Sequence, residues 1–254
     1  MCGMGSDVAA LVARMEEGLA ELEADGDPAR HFLGTYLRTT QAVGVAIDAG
    51  DFEDPAWVEE WDVDFADLYL DALTAHRRDP PSAPRPWQLA FGARPDLPPE
   101  AHVLLGMNAH INLDLPQSLV RMVPAAEFDD PTRWELRRRD HERIDAVLAS
   151  RVAAEDGELH RAGGRRTRLD RLLAPVNRTA SQVFLRESRR RVWANAGQLD
   201  LARRRGPEAY ATRLAELEAA SAARVDDLLR PGPVLVRLAV RGFGVTLPPA
   251  SATG

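Results

Sequence analysis

Apolar residues recur at helical spacing along most of this chain, and helix-start signals recur with them. One arc of a predicted helix is formed by Phe32, Tyr36, Thr39, Val43 and Ile47. Asp54 followed by Pro55 is a typical helix start, because aspartate caps free amides and proline lacks the amide that would need a partner. We therefore expect an all-α fold: a single-domain bundle of about eight helices over residues 1–254, with short flexible tails at about 1–6 and 248–254.

Composition and charge restrict the partners of the chain. With 45% apolar and 28% charged residues it is an ordinary globular protein, and its basic residues are all arginine, as in GC-rich bacterial genes. A net charge of −7 argues against a general nucleic-acid binder. Cys2 is the only cysteine, which excludes an intrachain disulfide and a cysteine-based zinc site. No segment approaches the roughly 20 apolar residues of a membrane span. We expect a cytoplasmic protein with a small-molecule partner; the sequence does not predict its oligomeric state.

The segment 105–116, LGMNAHINLDLP, carries polar residues at every second position. Asn108, His110, Asn112 and Asp114 alternate with apolar residues, which by itself is a strand pattern. A strand needs a partner for its backbone, however, and no other segment offers one, whereas the neighbouring segments all have helical signals. We therefore predict that this segment is a buried central helix.

On a helix the polar residues of this segment form two pairs, each with a spacing of four. His110 and Asp114 lie one turn apart on one face, and Asn108 and Asn112 form a second pair farther round. A helix that is apolar nearly all round is buried, and each unpaired polar group on it costs roughly 1–3 kcal/mol. These four side chains must therefore find partners inside the bundle.

Two other helices offer partners for this buried row. His141 and Asp145 repeat the spacing of His110 and Asp114, with His141 at the centre of an apolar arc. Asp62 borders the apolar arc of the third predicted helix, which also carries Trp61 and Phe65. We expect these histidines and carboxylates to meet in one site between the helices.

The leading hypothesis is a metal-assisted small-molecule enzyme: a hydrolase, an oxidase or a cyclase. His110, Asp114 and His141 would hold Zn, Fe or Mn, because imidazole and carboxylate ligands suit these ions. Asp62 or Asp145 would move the proton, and His141 would also belong to the catalytic group. The substrate would have apolar surface. Its predicted contacts are Asn108, Asn112, Tyr36, Tyr69, Trp61 and Phe65.

Other interpretations of the same residues stay open. In a metal-free enzyme, a His–Asp pair would act as general base for isomerisation or cyclisation. In a ligand-binding or structural protein, the same pairs would be satisfied hydrogen-bonded units. A histidine and an aspartate four residues apart also form a short pattern that occurs by chance, so the spacing does not by itself indicate a catalytic site.

Three further features of the sequence bear on the fold: a glycine in the motif, a proline-rich segment and a polar helix face. Gly106 leaves room for a ligand or for a neighbouring helix. The segment RRDPPSAPRPW is too rich in proline for regular structure, and we expect a surface connection. A long helix after Pro175 has a polar arc that either lines a pocket or packs closely on a neighbour. That arc is formed by Asn177, Ser181, Phe184, Ser188, Val192 and Asn195.

The chain resembles an uncharacterised, largely actinobacterial family that is catalogued as a domain of unknown function. The segments that carry the resemblance are FEDPAWVEEWDVDFADLYLDAL, LGMNAHINLDLP, DHERIDAVLASR, LLAPVNRTASQVFLRESRRRVWANA and VRLAVRGFGV. The resemblance extends from about Ala29 to Val245, and its hallmark G-M-N-A-H-I-N-x-D-L matches Gly106 to Leu115. In that family the position of Asp145 is more often asparagine. The resemblance implies a helical fold and no particular activity.

Overall fold

The computed structural model describes residues 6–161, 190–230 and 242–249, and these residues form an all-α bundle without a β-strand among them. The helices are α1 (Ser6–Ala24), α2 (Ala29–Asp48), α3 (Pro55–Arg78), α4 (Arg85–Phe91), α5 (Pro99–Ala109), α6 (Leu115–Met122), α7 (Ala125–Phe128), α8 (Pro131–Arg161), α9 (190–205) and α10 (Pro207–Leu229). A 3-10 turn (Pro80–Ser82) precedes α4, and a π turn (His110–Asp114) joins α5 to α6. The predicted all-α fold is thus confirmed.

The helix starts follow the capping signals of the sequence. The Asp54 side chain accepts a hydrogen bond from the Trp57 amide at 3.2 Å, and Pro55 is the first residue of α3. Prolines also open α5, α8 and α10. A proline fits there because the first helical amides have no partner within the helix.

The proline-rich segment before Phe91 is more regular than we predicted. Within RRDPPSAPRPW, Arg77 and Arg78 end α3, Pro80–Ser82 form the 3-10 turn, and Arg85, Pro86 and Trp87 begin α4, so the expectation of no regular structure is wrong for these residues. Pro86 lies in the first turn, where a missing amide costs no hydrogen bond. The helix packs against α5 and α10 and buries Trp87 completely. Local proline content thus concealed a short helix that the tertiary contacts stabilise.

Two apolar clusters form the interior of the described residues. One surrounds Leu33, Tyr69 and Trp87, between α1, α2, α3, α4, α5 and α10. The other surrounds Trp57 and Leu119, between α3, α6, α8 and α9. Helix α3 contributes to both clusters, and the π turn lies beside α3 and α10. The motif segment is therefore central, as its apolar composition predicted.

Some predictions concern residues outside the described ranges. These are the loop after Arg161, the start of the helix after Pro175, the short helix after Pro233 and most of the two tails. Within 6–161, 190–230 and 242–249, no helix has the length and apolarity that crossing a membrane requires.

Candidate functional site

The candidate site is built on the π turn between α5 and α6. The Leu115 amide donates to the carbonyl of His110, five residues earlier, instead of to a carbonyl four residues earlier. Pro116 follows directly; it has no amide to bond Asn112, and its ring would clash with that carbonyl in a regular helix. A wider turn relieves this conflict, and such turns are frequent at functional sites.

His110 and Asp114 form a buried hydrogen-bonded pair across this turn. His110 Nδ1 lies 2.8 Å from Asp114 Oδ2, and the two side chains are 4% and 2% exposed. The Trp87 indole donates to the same carboxylate oxygen at 2.9 Å. Because an indole N–H can only donate, this oxygen is an acceptor, and we assign the Nδ1 proton of His110 to the bond with Asp114. His110 Nε2 then carries the lone pair.

Aromatic rings enclose the His110 imidazole. The Phe65 ring stacks on it, with centroids 3.7 Å apart and an interplanar angle of 5°. The Tyr36 ring meets it edge-on at 4.7 Å, and the Tyr69 ring lies at 6.1 Å. Burial among these rings lowers the pKa of His110, although the hydrogen bond to Asp114 opposes that shift. In the protein without a bound ligand, His110 is therefore neutral at pH 7.

Several buried polar atoms around this imidazole lack a hydrogen-bond partner among the described residues. They are His110 Nε2, Tyr36 Oη and Tyr69 Oη, on neighbouring rings, and Asp62 Oδ2, whose carboxylate acts on Tyr36. Similar atoms occur elsewhere among the described residues, for example Thr40 Oγ1 and Ser118 Oγ. Buried polar groups are satisfied in the great majority of cases, so such a cluster requires an explanation. Ordered water or a bound polar molecule would satisfy these atoms.

The electrostatics of the cluster favour uncharged side chains. Burial raises the pKa of Asp62 to about 7. Burial also raises the pKa of Tyr36 well above its usual value, and the nearby carboxylates of Asp62 and Asp114 raise it further. Tyr36 thus keeps its proton and can donate it in a hydrogen bond. Asp62 can exchange a proton near neutral pH.

Asn108 and Asn112, predicted as substrate contacts, bind another part of the chain. Their side-chain amides donate to the carbonyl of Phe243, at 3.0 and 3.2 Å. The oxygen of Asn112 also accepts from the Val245 amide at 3.0 Å. The structure therefore places Tyr36, Tyr69 and Phe65 around His110, whereas both asparagines face the segment 242–249.

His141 lies in a different environment from His110. The Trp193 indole donates to His141 Nδ1 at 3.1 Å, and the Trp61 ring meets the imidazole edge-on at 5.1 Å. Trp61 in turn stacks on Trp57, with centroids 4.9 Å apart. Asp145 lies on α8, and its side chain is outside the described part of the structure. Trp61, which we predicted as a substrate contact at the shared site, thus lies beside His141.

The predicted ligand set of His110, Asp114 and His141 does not converge in this structure. Among the described residues, no three His, Cys, Asp or Glu side chains are grouped so as to hold a metal ion. His110 Nδ1 and Asp114 Oδ2 bond each other, and His141 Nδ1 accepts from Trp193. Metal binding at these residues stays a prediction.

Sequence reasoning missed Trp87 and the widened turn. Trp87 lies 27 residues from Asp114, in a segment expected to be irregular, so no local pattern linked the two. The signal for the turn was present, because Pro116 directly follows an otherwise helical segment. Asn195 belongs to the polar arc predicted after Pro175, and its side chain binds the segment 242–249. The arc residues before 190 lie outside the described ranges.

Fold and site together define an all-α protein with a buried His–Asp pair on a π turn. The chain belongs to a family of unknown function, DUF5995, whose family model matches residues 8–231. Membership of an uncharacterised family is thus confirmed, whereas its actinobacterial range and its motif stay predictions. Neither the curated proteins nor the solved structures gave a match to this chain.

Proposed function

We propose that this protein is an acid–base enzyme that moves a proton on a small, largely apolar molecule. One observation carries the proposal: His110 Nε2 is buried without a partner among the described residues, while Nδ1 is bonded to Asp114. An imidazole held in this way presents one basic nitrogen in a fixed direction. This is the metal-free form of the enzyme that the sequence suggested.

His110 would act as the general base. Its Nε2 lone pair would take a proton from a C–H bond next to a substrate carbonyl. The imidazolium formed would be stabilised by Asp114, whose carboxylate accepts the Nδ1 proton at 2.8 Å and is itself oriented by Trp87. Because burial lowers the pKa of His110, the base would be unprotonated at neutral pH before reaction.

Tyr36 and Asp62 would complete the proton transfer. Tyr36 keeps its proton, so its hydroxyl can donate a hydrogen bond to the carbonyl oxygen as negative charge develops there. With a β,γ-unsaturated carbonyl compound as substrate, the proton on His110 would return to the γ carbon of the dienolate, so that the double bond shifts into conjugation and the net reaction is an isomerisation. Asp62, with a pKa of about 7, would exchange a proton with the product near neutral pH.

The aromatic surroundings favour a flat apolar substrate. The stacked ring of Phe65 and the rings of Tyr36 and Tyr69 offer apolar surface around the imidazole. The hydroxyls of Tyr36 and Tyr69, both buried without a partner among the described residues, lie on rings beside the imidazole and would orient one functional group of the substrate. Cyclic or aromatic ketones and lactones fit this description.

Deuterium exchange tests this proposal without knowledge of the natural substrate. The protein is incubated in heavy water with a panel of cyclic ketones, aryl ketones and lactones, and deuterium uptake is followed by mass spectrometry. We expect uptake on at least one compound, reduced about 100-fold or more in His110→Gln because the general base is gone. Tyr36→Phe should reduce it less.

His31→Gln is the matched control, since it removes another imidazole at a site that the reaction would not use. Its ring lies near His102, with centroids 5.9 Å apart. Uptake that is equal in wild type and His110→Gln would contradict the proposal, as would loss of uptake in His31→Gln while its fold is intact.

A second candidate is metal-assisted chemistry at the same nitrogen. Histidine ligands of metals commonly donate their other ring nitrogen to a carboxylate, and His110 does so to Asp114. Elemental analysis of the untagged protein, after incubation with Zn, Fe or Mn, checks this form. An ion at His110 Nε2 should be lost in His110→Ala and kept in His141→Ala, because His141 lies among Trp61 and Trp193.

Loss of the ion in both variants would instead support the shared site predicted from sequence. Wild-type protein without stoichiometric metal after this incubation would contradict the metal-assisted candidate and leave the acid–base proposal unaffected.

A further inference from the structure

The segment 242–249 is held by side chains that bond its backbone. Asn112 takes both polar groups that flank Gly244: it donates to the Phe243 carbonyl at 3.2 Å and accepts from the Val245 amide at 3.0 Å. Asn195 repeats this arrangement two residues later, with the Val245 carbonyl at 3.0 Å and the Leu247 amide at 2.9 Å. The two asparagines therefore bond the same edge of the segment at strand-like spacing.

Arginine side chains extend these contacts along the segment. Arg191 donates to the Gly244 carbonyl at 2.6 Å, and Arg213 donates to the Pro248 carbonyl. Asn108 adds a second donor to the Phe243 carbonyl at 3.0 Å. None of these bonds reaches a side chain of the segment, so any residue with a free amide at positions 245 and 247 can form them.

The side chains of the segment supply an alternating apolar pattern. Phe243, Val245 and Leu247 are buried and Thr246 is exposed, while Gly242 and Gly244 are buried but carry no side chain. Phe243 packs into the cluster of Leu33 and Tyr69, and the other two pack into the cluster of Trp57 and Leu119. The groove between the π turn and α9 therefore selects for apolar residues at every second position and bonds the backbone between them.

We propose that this groove is a binding site for extended peptides with apolar side chains at alternate positions, and that residues 242–249 are its resident, exchangeable occupant. Backbone bonds with pockets for alternate side chains are a general mode of peptide recognition. The proposal does not depend on the acid–base function.

The test uses the full chain with a charge placed in the occupant. Val245→Asp would put a carboxylate in the apolar cluster and release the segment, whereas Thr246→Asp puts the same charge at the exposed neighbouring position. A fluorescent peptide with the sequence RGFGVTLPP is titrated into each protein. We expect the dissociation constant of the peptide to be roughly tenfold lower for Val245→Asp than for the wild type or Thr246→Asp, because the groove of Val245→Asp is unoccupied for a larger fraction of the time.

Two peptide controls separate this site from nonspecific association. Methylation of the peptide nitrogens of its valine and leucine removes the donors to Asn112 and Asn195 and should abolish binding. A peptide with leucine, isoleucine and valine in place of phenylalanine, valine and leucine should still bind. Equal binding of the methylated peptide would overturn the proposal, as would no binding to helical Val245→Asp at millimolar concentration.

A second measurement applies if Val245→Asp does not fold. In the wild type, excess peptide should speed hydrogen exchange of the Val245 and Leu247 amides by competing for the groove, while a peptide with shuffled sequence should not. Unchanged exchange would contradict the proposal. A dimer that free peptide does not dissociate would also contradict it, because it would mean exchange of the segment between two copies only.

Discussion

Replacement of Gly106 by alanine should destabilise the protein by about 1–3 kcal/mol. A Cβ atom at this position would lie 2.5 Å from Phe32 Cγ and 3.0 Å from Phe32 Cβ. These atoms lie close to the α2 backbone, so the phenylalanine cannot avoid the contact by moving only the far end of its ring. Urea unfolding, followed by helical circular dichroism, measures the change in the free energy of unfolding.

Gly197→Ala is the matched control for this prediction. Gly197 lies in α9, and a Cβ atom there would meet nothing within 4 Å among the described residues. Alanine has the higher helix propensity, so this variant should be stabilised by about 0.5–1 kcal/mol. If Gly106→Ala were as stable as Gly197→Ala, the close packing of Phe32 on the motif helix would be contradicted.

Asp62→Asn should become progressively more stable than the wild type as the pH rises from about 4 to about 7. Burial raises the pKa of Asp62 from 3.8 in its ordinary state to about 7 in the folded protein. Between these values the folded chain binds the proton and the unfolded chain does not, so wild-type stability falls with rising pH. Each pH unit contributes about 1.4 kcal/mol, up to a total of about 4 kcal/mol.

Unfolding experiments at a series of pH values check this expectation. The difference between variant and wild type should level off above pH 7, because Asp62 is then ionised in both states. Asp71→Asn, at an exposed position on the same helix, is the control and should leave the pH dependence unchanged. A constant difference between Asp62→Asn and wild type across this range would contradict a protonated, buried Asp62.

Much of the fold could be predicted from the sequence because its helices have strong local signals. The Asp54 cap and the prolines that begin α5 and α10 are features of a single helical turn. The His110–Asp114 contact also follows from the four-residue spacing, although the turn that carries it is wider than an α-helical turn. Such features depend on neighbours in sequence, which a single chain reveals.

The contacts of the site depended on long-range packing and could not be predicted in this way. The Trp87 indole reaches Asp114 only because α4 packs against α5. Asn112 bonds residues more than 130 positions away, on a segment whose placement no local pattern specified. His110 and His141 share one spacing motif, yet they pack among different aromatic residues. Identical local patterns therefore gave different environments.

The π turn also changes the phase of the rod formed by α5 and α6. Each residue of an α-helix advances the chain by about 100°, so one additional residue in the turn rotates everything after it by that angle. Helix α5 packs against α2, α4 and α10, whereas α6 packs against α3. A chain one residue shorter between His110 and Asp114 would keep every side chain of α6 but present its apolar face in another direction. The length of this turn, as much as its residues, thus determines which helices meet at the site.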